Sequence, residues 1–301
     1  MISWVSGVTG FSGGFLVDEI RRRDPQGTIV GLGRRASCDV PVDAYASVDL
    51  ADAPELDPLC ERYPPDRVFH LAGAVPPAGV AELWHSNLAG THNLLVALGR
   101  RRLPECRFLC VGSSAELLPK AGGFYTEEDL AVGFSEYGKS KAAQTRLAFA
   151  LGRDLGIAVF NARTFNLIGP GLPARLVAGR VCEQLASKAR PLQLGNLHPE
   201  RDFIDVRDAV AAYCDILEKA APFEIYNVCT GVPVSIRSLV RSAAAVLGDS
   251  MPDIASDSAQ AGRHDIDRVY GDPRKLREAT GWQPRIALAE SLRDMLEKYR
   301  S

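Results

Sequence analysis

The stretch that most restricts this chain is its start, ISWVSGVTGFSGGFL. An apolar, β-prone run leads into Gly7, Gly10 and Gly13 at GxxGxxG spacing, and a helical apolar period follows. Glycines permit a tight turn there and let the backbone approach a pyrophosphate closely. The next helix then offers amide donors and the positive end of its dipole. A glycine-rich turn without a ligand is the plainer alternative. Its place after a strand and before a helix favours a dinucleotide site, so Gly7, Thr9, Gly10, Phe11, Ser12 and Gly13 are candidate cofactor contacts.

The pattern continues downstream. GTIVGLG, RVFHLAG, CRFLCVG and IAVFNART read as strands buried on both faces, separated by the helical runs GGFLVDEIRRR, NLAGTHNLLVALGRRR and SEYGKSKAAQTRLAFALGRDLG. This alternation predicts an α/β chain with a Rossmann-like, doubly wound parallel sheet. After Asn166 the LIGPGLP break introduces a smaller, mostly helical region. The expected division is 1–165 for the dinucleotide domain, with 201–222 returning to it, and 166–301 for a substrate region.

The second strand ends in GLGRRAS. NAD enzymes usually place an acid here for the ribose hydroxyls, whereas arginines accept the 2′-phosphate of NADP. Arg34 and Arg35 stand at that point, so NADP(H) is favoured over NAD(H). Asp49 and Leu50 suit the adenine edge.

A net charge of −2 with 24% charged residues offers no electrostatic footprint for nucleic acid. The arginine triplets at 21–23 and 100–102 fit helix C-termini, where cations oppose the dipole. No apolar run approaches the ~20 residues of a membrane span. The chain opens directly into a strand, and its seven cysteines form neither a CxxC pair nor a zinc spacing. No metal, no membrane and a reducing cytoplasm are the expectations.

YGKSK sets Tyr137 and Lys141 four residues apart on one helical face. A phenol titrates near ~10 in isolation, and a nearby ammonium favours the phenolate. Such a pair can exchange a proton with a substrate oxygen while a nicotinamide exchanges hydride with the same carbon. Alone the spacing is common; the nucleotide turn upstream, and Ser114 at the carboxyl end of a strand, give it weight.

With these residues in place the chain resembles the extended short-chain dehydrogenases/reductases that act on nucleotide sugars. The likeness rests on GVTGFSG, HLAG, NLAGTHN, GSSAEL, YGKSK, RTFNLIGPG, GNLHPERDFIDVRD, YNVCTG and GDPRKLREATGWQPRI, which span nearly the whole chain. It is most similar to the GDP-mannose branch, a 4,6-dehydratase and the reductase of its 4-keto-6-deoxy product. The resemblance implies Tyr137 as acid/base, Lys141 on the nicotinamide ribose, and Ser114 on the sugar C4 oxygen. It implies cofactor contacts from Leu71, Ala72, Gly73, Asn87 and Thr164, with His70 either beside them or simply packed. Asn166, Arg201 and Arg263 would hold the sugar diphosphate or nucleotide, and a homodimer would form through the Tyr137 helix and its neighbour.

Two departures bear on the substrate. Leu118 and Pro119 replace the family's usual Tyr-Gly, and AVPPAGVAELWHS is short and proline-rich where it should border the nicotinamide pocket. Glu116 occupies the place of the dehydratase base. The expected activity is NADPH-dependent reduction at C4 of a nucleotide-linked, GDP-type 4-keto-6-deoxy sugar. A 4,6-dehydratase or C4-epimerase retaining its cofactor is the alternative, and an NADP-sensing binding protein stands further off.

Overall fold

The computed structural model describes residues 1–52, 54–103, 105–256 and 266–300. Strands β1 (Ile2–Ser6), β2 (Thr28–Gly33), β3 (Ala44–Ser47), β4 (Arg67–His70) and β5 (Arg107–Ser113) join two later strands, Ala158–Thr164 and Ile225–Val228, in one seven-stranded sheet. Every pairing is parallel, and the order is Ile225–Val228, Ala158–Thr164, β5, β4, β1, β2, β3. Chain order reverses between β1 and β4, the point where open parallel sheets hold ligands at their carboxyl ends.

The strands read as continuous apolar runs because both faces are covered. Successive side chains alternate: Trp4, Val68 and Phe108 enter one core, Val5, Phe69 and Leu109 the other. The first half of the chain carries α1 (Gly13–Arg23), α2 (Leu56–Arg62), α3 (Val80–Trp84), α4 (Gly90–Arg100) and α5 (Glu136–Leu155). The second carries α6 (Val177–Ala186), α7 (Val206–Lys219), α8 (Ile236–Val246), α9 (Arg274–Thr280) and α10 (Leu288–Arg300). Leu16 and Ile20 of α1 with Tyr213 and Ile216 of α7 fill one core; Leu94 and Leu98 of α4 with Ala148 of α5 fill the other. A third core joins α6, α8 and α10.

The expected return of 201–222 to the first domain stops short. It omits Ile225–Val228, which pairs with Ala158–Thr164 as the last strand of the sheet. The four-residue run was too short for its periodicity to show. Strand β3 was missed for a related reason: its side chains are only partly buried, so no apolar run marks it.

The arginine triplets lie where dipole chemistry places them, Arg21–Arg23 in the last turn of α1 and Arg100 closing α4. Arg23 also reaches Asp215 at 3.0 Å and Glu218 at 2.9 Å, tying α1 to α7. The RDFIDVRD motif acts as three carboxylate clasps. Asp202 accepts from the amides of Thr230 and Gly231, both at 2.8 Å. Asp205 caps α7 and accepts from Ser291 Oγ at 2.6 Å, and Asp208 accepts from the amides of Arg285 and Ile286. All seven cysteines are free, and burial pushes Cys60, Cys106, Cys110, Cys182 and Cys214 up to about 12. These five are thiols at neutral pH, not nucleophilic thiolates. Among the described residues no helix is long and apolar enough to cross a membrane, and no cluster of metal-ligating side chains occurs.

Candidate active site

At the switch point the strand ends line up in register. Ser6 pairs with His70, His70 with Cys110, and Ser113 with Thr164. Above this edge lies a cleft of two adjoining cavities, about 260 Å³ and about 480 Å³, which share Leu71 and Gly73.

The smaller cavity is walled by Gly7, Thr9 and Gly10 of the glycine turn, Arg34 and Arg35 after β2, Asp49, Leu50, Ala72 and Ser86. Gly7 has φ +72°, and a Cβ there would lie 2.8 Å from the Ala72 nitrogen. Only glycine fits both the left-handed backbone and the close approach. An open cradle at a helix N-terminus, with two arginines along its wall, fits a nicotinamide dinucleotide. Arg34 Nη1 lies 3.6 Å from Glu82 Oε1 of α3. Gly13 departs from expectation and does not line the cleft. A Cβ on it would come within 2.0 Å of the Val8 carbonyl, so its role is helix packing.

The larger cavity brings together Phe11, Ser12, Asn87, Tyr137, Lys141, Thr164 and Asn166 from four separate stretches of sequence. Helix α5 starts at the Ser135 cap, whose Oγ accepts from the Gly138 amide at 3.1 Å. Gly138 lets the helix rest on the turn after β5, because a Cβ would meet the Ala115 carbonyl at 2.0 Å. That contact sets Tyr137 and Lys141 against the cavity. Asn87 is fully buried on a wide π-turn between α3 and α4. It accepts from the Ala74 amide at 2.9 Å and donates to Ser140 Oγ at 2.9 Å, fixing the loop that contributes Ala74, Val75 and Pro76 to the wall. Thr164 Oγ1 and the Tyr213 hydroxyl share a 2.8 Å hydrogen bond, and burial pushes the Tyr213 phenol up.

Three predicted residues fall elsewhere. At the end of β5 the cavity is lined by Gly112 and Ser113, while Ser114 opens the following 3-10 turn outside it. Glu116 is fully buried beneath that turn. Its Oε1 accepts from the Ser113 amide at 2.8 Å, Ser113 Oγ accepts from the Ala115 amide, and Glu116 Oε2 lies 3.7 Å from Nε of fully buried Arg163. This is a capping box over a buried ion pair, and Glu116 lines neither cavity. Burial pushes the Glu116 carboxyl up, opposed chiefly by the Arg163 cation. Arg201 also lies off the cleft, donating to the carbonyls of Glu200 and Ile266. Arg263 lies outside the described residues.

The cavity's cation at the outer end is Arg175, which stands two residues before α6 and was not anticipated. Leu118 and Pro119 do not line the cleft. The Leu118 carbonyl accepts from the Tyr125 hydroxyl at 2.9 Å, and Pro119 is exposed. The substrate-side departure that does reach the cavity is the Ala74–Val75–Pro76 wall.

His70 is 1% exposed and faces Ser6 and Thr91 rather than the cleft. Its pKa is lowered to about 3, first by burial and then by the Lys141 cation. The unfolded chain takes up this proton as pH falls through ~6.5, while the folded chain stays neutral. Stability is therefore lost across the window from about 6.5 down to about 3, at about 1.4 kcal/mol per pH unit. His70→Gln is expected to flatten that slope. Urea midpoints at about pH 7 and about pH 4.5 measure it, and an unchanged slope would overturn the assignment of a neutral buried imidazole.

Comparison with known proteins agrees with this geometry. The family model described as the NAD dependent epimerase/dehydratase family matches residues 4–229. The GDP-6-deoxy-D-mannose reductase of Pseudomonas aeruginosa is 34% identical over 262 residues, covering 83% of this chain and 86% of that protein. The structure of RMD from Pseudomonas aeruginosa complexed with NADPH superposes with TM-score 0.82 at 30% identity, covering all of both chains. MoeE5 in complex with UDP-glucuronic acid and NAD gives TM-score 0.86 at 28% identity, covering 100% of this chain and 99% of that one. The chain belongs to the NAD-dependent epimerase/dehydratase family, and its cleft is that of a nicotinamide-dependent oxidoreductase.

Proposed function

We propose that the protein is an NADPH-dependent reductase of a GDP-linked 4-keto-6-deoxy sugar, working as a homodimer in the cytoplasm. The observation that carries the reading is the placement of Tyr137 and Lys141 in the larger cavity, continuous with a dinucleotide cradle that ends in two arginines. The similarity to a GDP-6-deoxy-D-mannose reductase supports the sugar class.

When bound, the cofactor supplies the hydride to C4. Tyr137 donates its phenolic proton to the C4 oxygen, so the ketone becomes a neutral alcohol. The Lys141 ammonium steadies the phenolate left behind until solvent reprotonates it. A serine hydroxyl at the end of β5 orients the oxygen. Asn166 and Arg175 face the sugar diphosphate, an arginine fork being suited to phosphate. Glu116, held beneath the turn, takes no part, which favours reduction over dehydration.

The test is purified protein with NADPH and GDP-4-keto-6-deoxymannose. Loss of reduced cofactor with formation of a GDP-6-deoxyhexose, identified by NMR, is the expected result. No turnover of this ketone would overturn the reading. Conversion of GDP-mannose without added NADPH would replace it with a cofactor-retaining dehydratase or epimerase. Light scattering should give twice the 32.5 kDa chain mass. Replacing Arg34 and Arg35 together by Ala is expected to weaken NADPH binding by about 10–100-fold, the worth of a charge-assisted hydrogen bond. NADH binding should hardly change. Equal losses for both cofactors in a fluorescence titration would remove the 2′-phosphate assignment.

A further inference from the structure

The face of α5 that carries Tyr137 and Lys141 continues to Gln144, one helical turn on, and all three point the same way. Gln144 is fully buried and does not line the cleft. We propose that Gln144 is the positioning residue for Lys141, seating its ammonium through a buried hydrogen-bond string whose two arms, one from Lys141 and one from the backbone of the cofactor cradle, converge on Thr91. The inference rests on the reading of Tyr137 and Lys141 as the proton-handling pair.

The directions follow from donor and acceptor counts. Lys141 is 7% exposed; Nζ donates to the Val111 carbonyl at 2.7 Å and to Gln144 Oε1. An ammonium has three N–H groups, so two are committed to the protein and one remains for the cavity. Gln144 Nε2 donates to Thr91 Oγ1 at 2.8 Å, and Thr91 Oγ1 donates to the Asn87 carbonyl at 2.7 Å. With its proton spent, Thr91 Oγ1 can only accept from His70 Nε2, at 2.9 Å. That fixes the imidazole tautomer, so His70 Nδ1 accepts from Ser6 Oγ at 2.7 Å. Ser6 Oγ in turn accepts from the Ala72 amide at 3.3 Å, and Ala72 walls the smaller cavity. The string therefore spans α5, α4, β4 and β1, and every member has one role.

Only a primary amide satisfies position 144. Lys141 needs an acceptor and Thr91 needs a donor; Gln supplies both on one planar group. A carboxylate would accept twice, adding an anion beside Lys141 and setting an acceptor against the Thr91 oxygen. A leucine would release both neighbours. The other titratable groups close to the pair are His70 on β4, Cys110 on β5, Glu116 on the 3-10 turn with Arg163 behind it, and Tyr213 on α7. All remain in place when residue 144 alone is changed.

The experiment compares pH profiles of ketone reduction for the wild type, Gln144→Glu, Gln144→Leu and Tyr137→Phe. The alkaline limb should be absent from whatever residual activity Tyr137→Phe retains. In Gln144→Glu and Gln144→Leu that limb should move up by about one pH unit, the reach of a nearby charge. Their kcat near neutrality should fall about 10–100-fold through misplacement of the pair, with KM for NADPH little changed. Combining Gln144→Leu with Tyr137→Phe should add almost no further loss. If Gln144→Leu does not fold, the nearly isosteric Gln144→Glu and a Thr91→Val variant carry the same comparison. A limb unmoved in every folded variant, or an equal loss with and without Tyr137, would overturn the positioning role and leave Gln144 a packing residue. A wild-type limb that persists in Tyr137→Phe would instead overturn the underlying reading of the pair.

Discussion

Tyr137→Phe is expected to lower kcat by about 10²–10⁴-fold, the usual contribution of a positioned general acid. Affinity for NADPH should be nearly unchanged. The tyrosine is half-buried in the larger cavity, whereas Gly7, Thr9, Gly10 and the two arginines of the dinucleotide cradle belong to the smaller one. Removing one hydroxyl therefore deletes a proton donor without touching the cofactor's bed. Helix α5 is held by its Ser135 cap and by the contact of Gly138 with Ala115, neither of which involves the phenol. The melting midpoint should stay within about a degree or two, in keeping with a partly exposed position. Single-turnover kinetics and cofactor titration check both halves. A variant that retains most of its kcat would show that the proton comes from another group.

Glu116→Gln is expected to have the opposite signature, with a large loss of stability and little loss of kcat. Gln can still accept from the Ser113 amide, so the turn after β5 keeps its cap. It cannot neutralise Arg163, which is fully buried and has no hydrogen-bond acceptor on any guanidinium nitrogen in the described structure. Leaving one partner of a buried ion pair uncompensated costs about 3–5 kcal/mol, a fall of several degrees in melting midpoint for a chain of this size. Chemical denaturation reads the first effect and kcat at a temperature well below melting reads the second. A kcat loss beyond ~10²-fold in a variant that melts like the wild type would return Glu116 to the chemistry and revive the dehydratase reading.

The parts of the molecule legible in the sequence are those with a local signature. Glycine spacing marked the dinucleotide turn, period and apolar content marked five of the seven large-sheet strands, and the four-residue interval marked Tyr137 and Lys141. What escaped depends on contacts between distant segments. Ser113 and Ser114 are adjacent and chemically identical, and only the strand's end in space decides which one lines the cavity. Glu116 stands in the place of the dehydratase base, and nothing local announces Arg163, 47 positions later, as its buried partner. Arg201 sat in a motif suggestive of phosphate binding, yet that motif's aspartates serve as clasps and its arginine binds carbonyls. Arg175 had no motif at all. Gln144 was the exception that could have been found, since it continues the Tyr137–Lys141 face by one more turn.

The clasps at Asp202, Asp205 and Asp208, together with the return of Ile225–Val228 to the large sheet, have a consequence for how reactants meet. The polypeptide crosses between the cofactor bed and the C-terminal region more than once, and each crossing is pinned by a buried carboxylate or a strand pairing. Much of the orientational entropy of bringing a sugar ring against a nicotinamide is thus surrendered when the chain folds, once per molecule, and does not recur with each turnover.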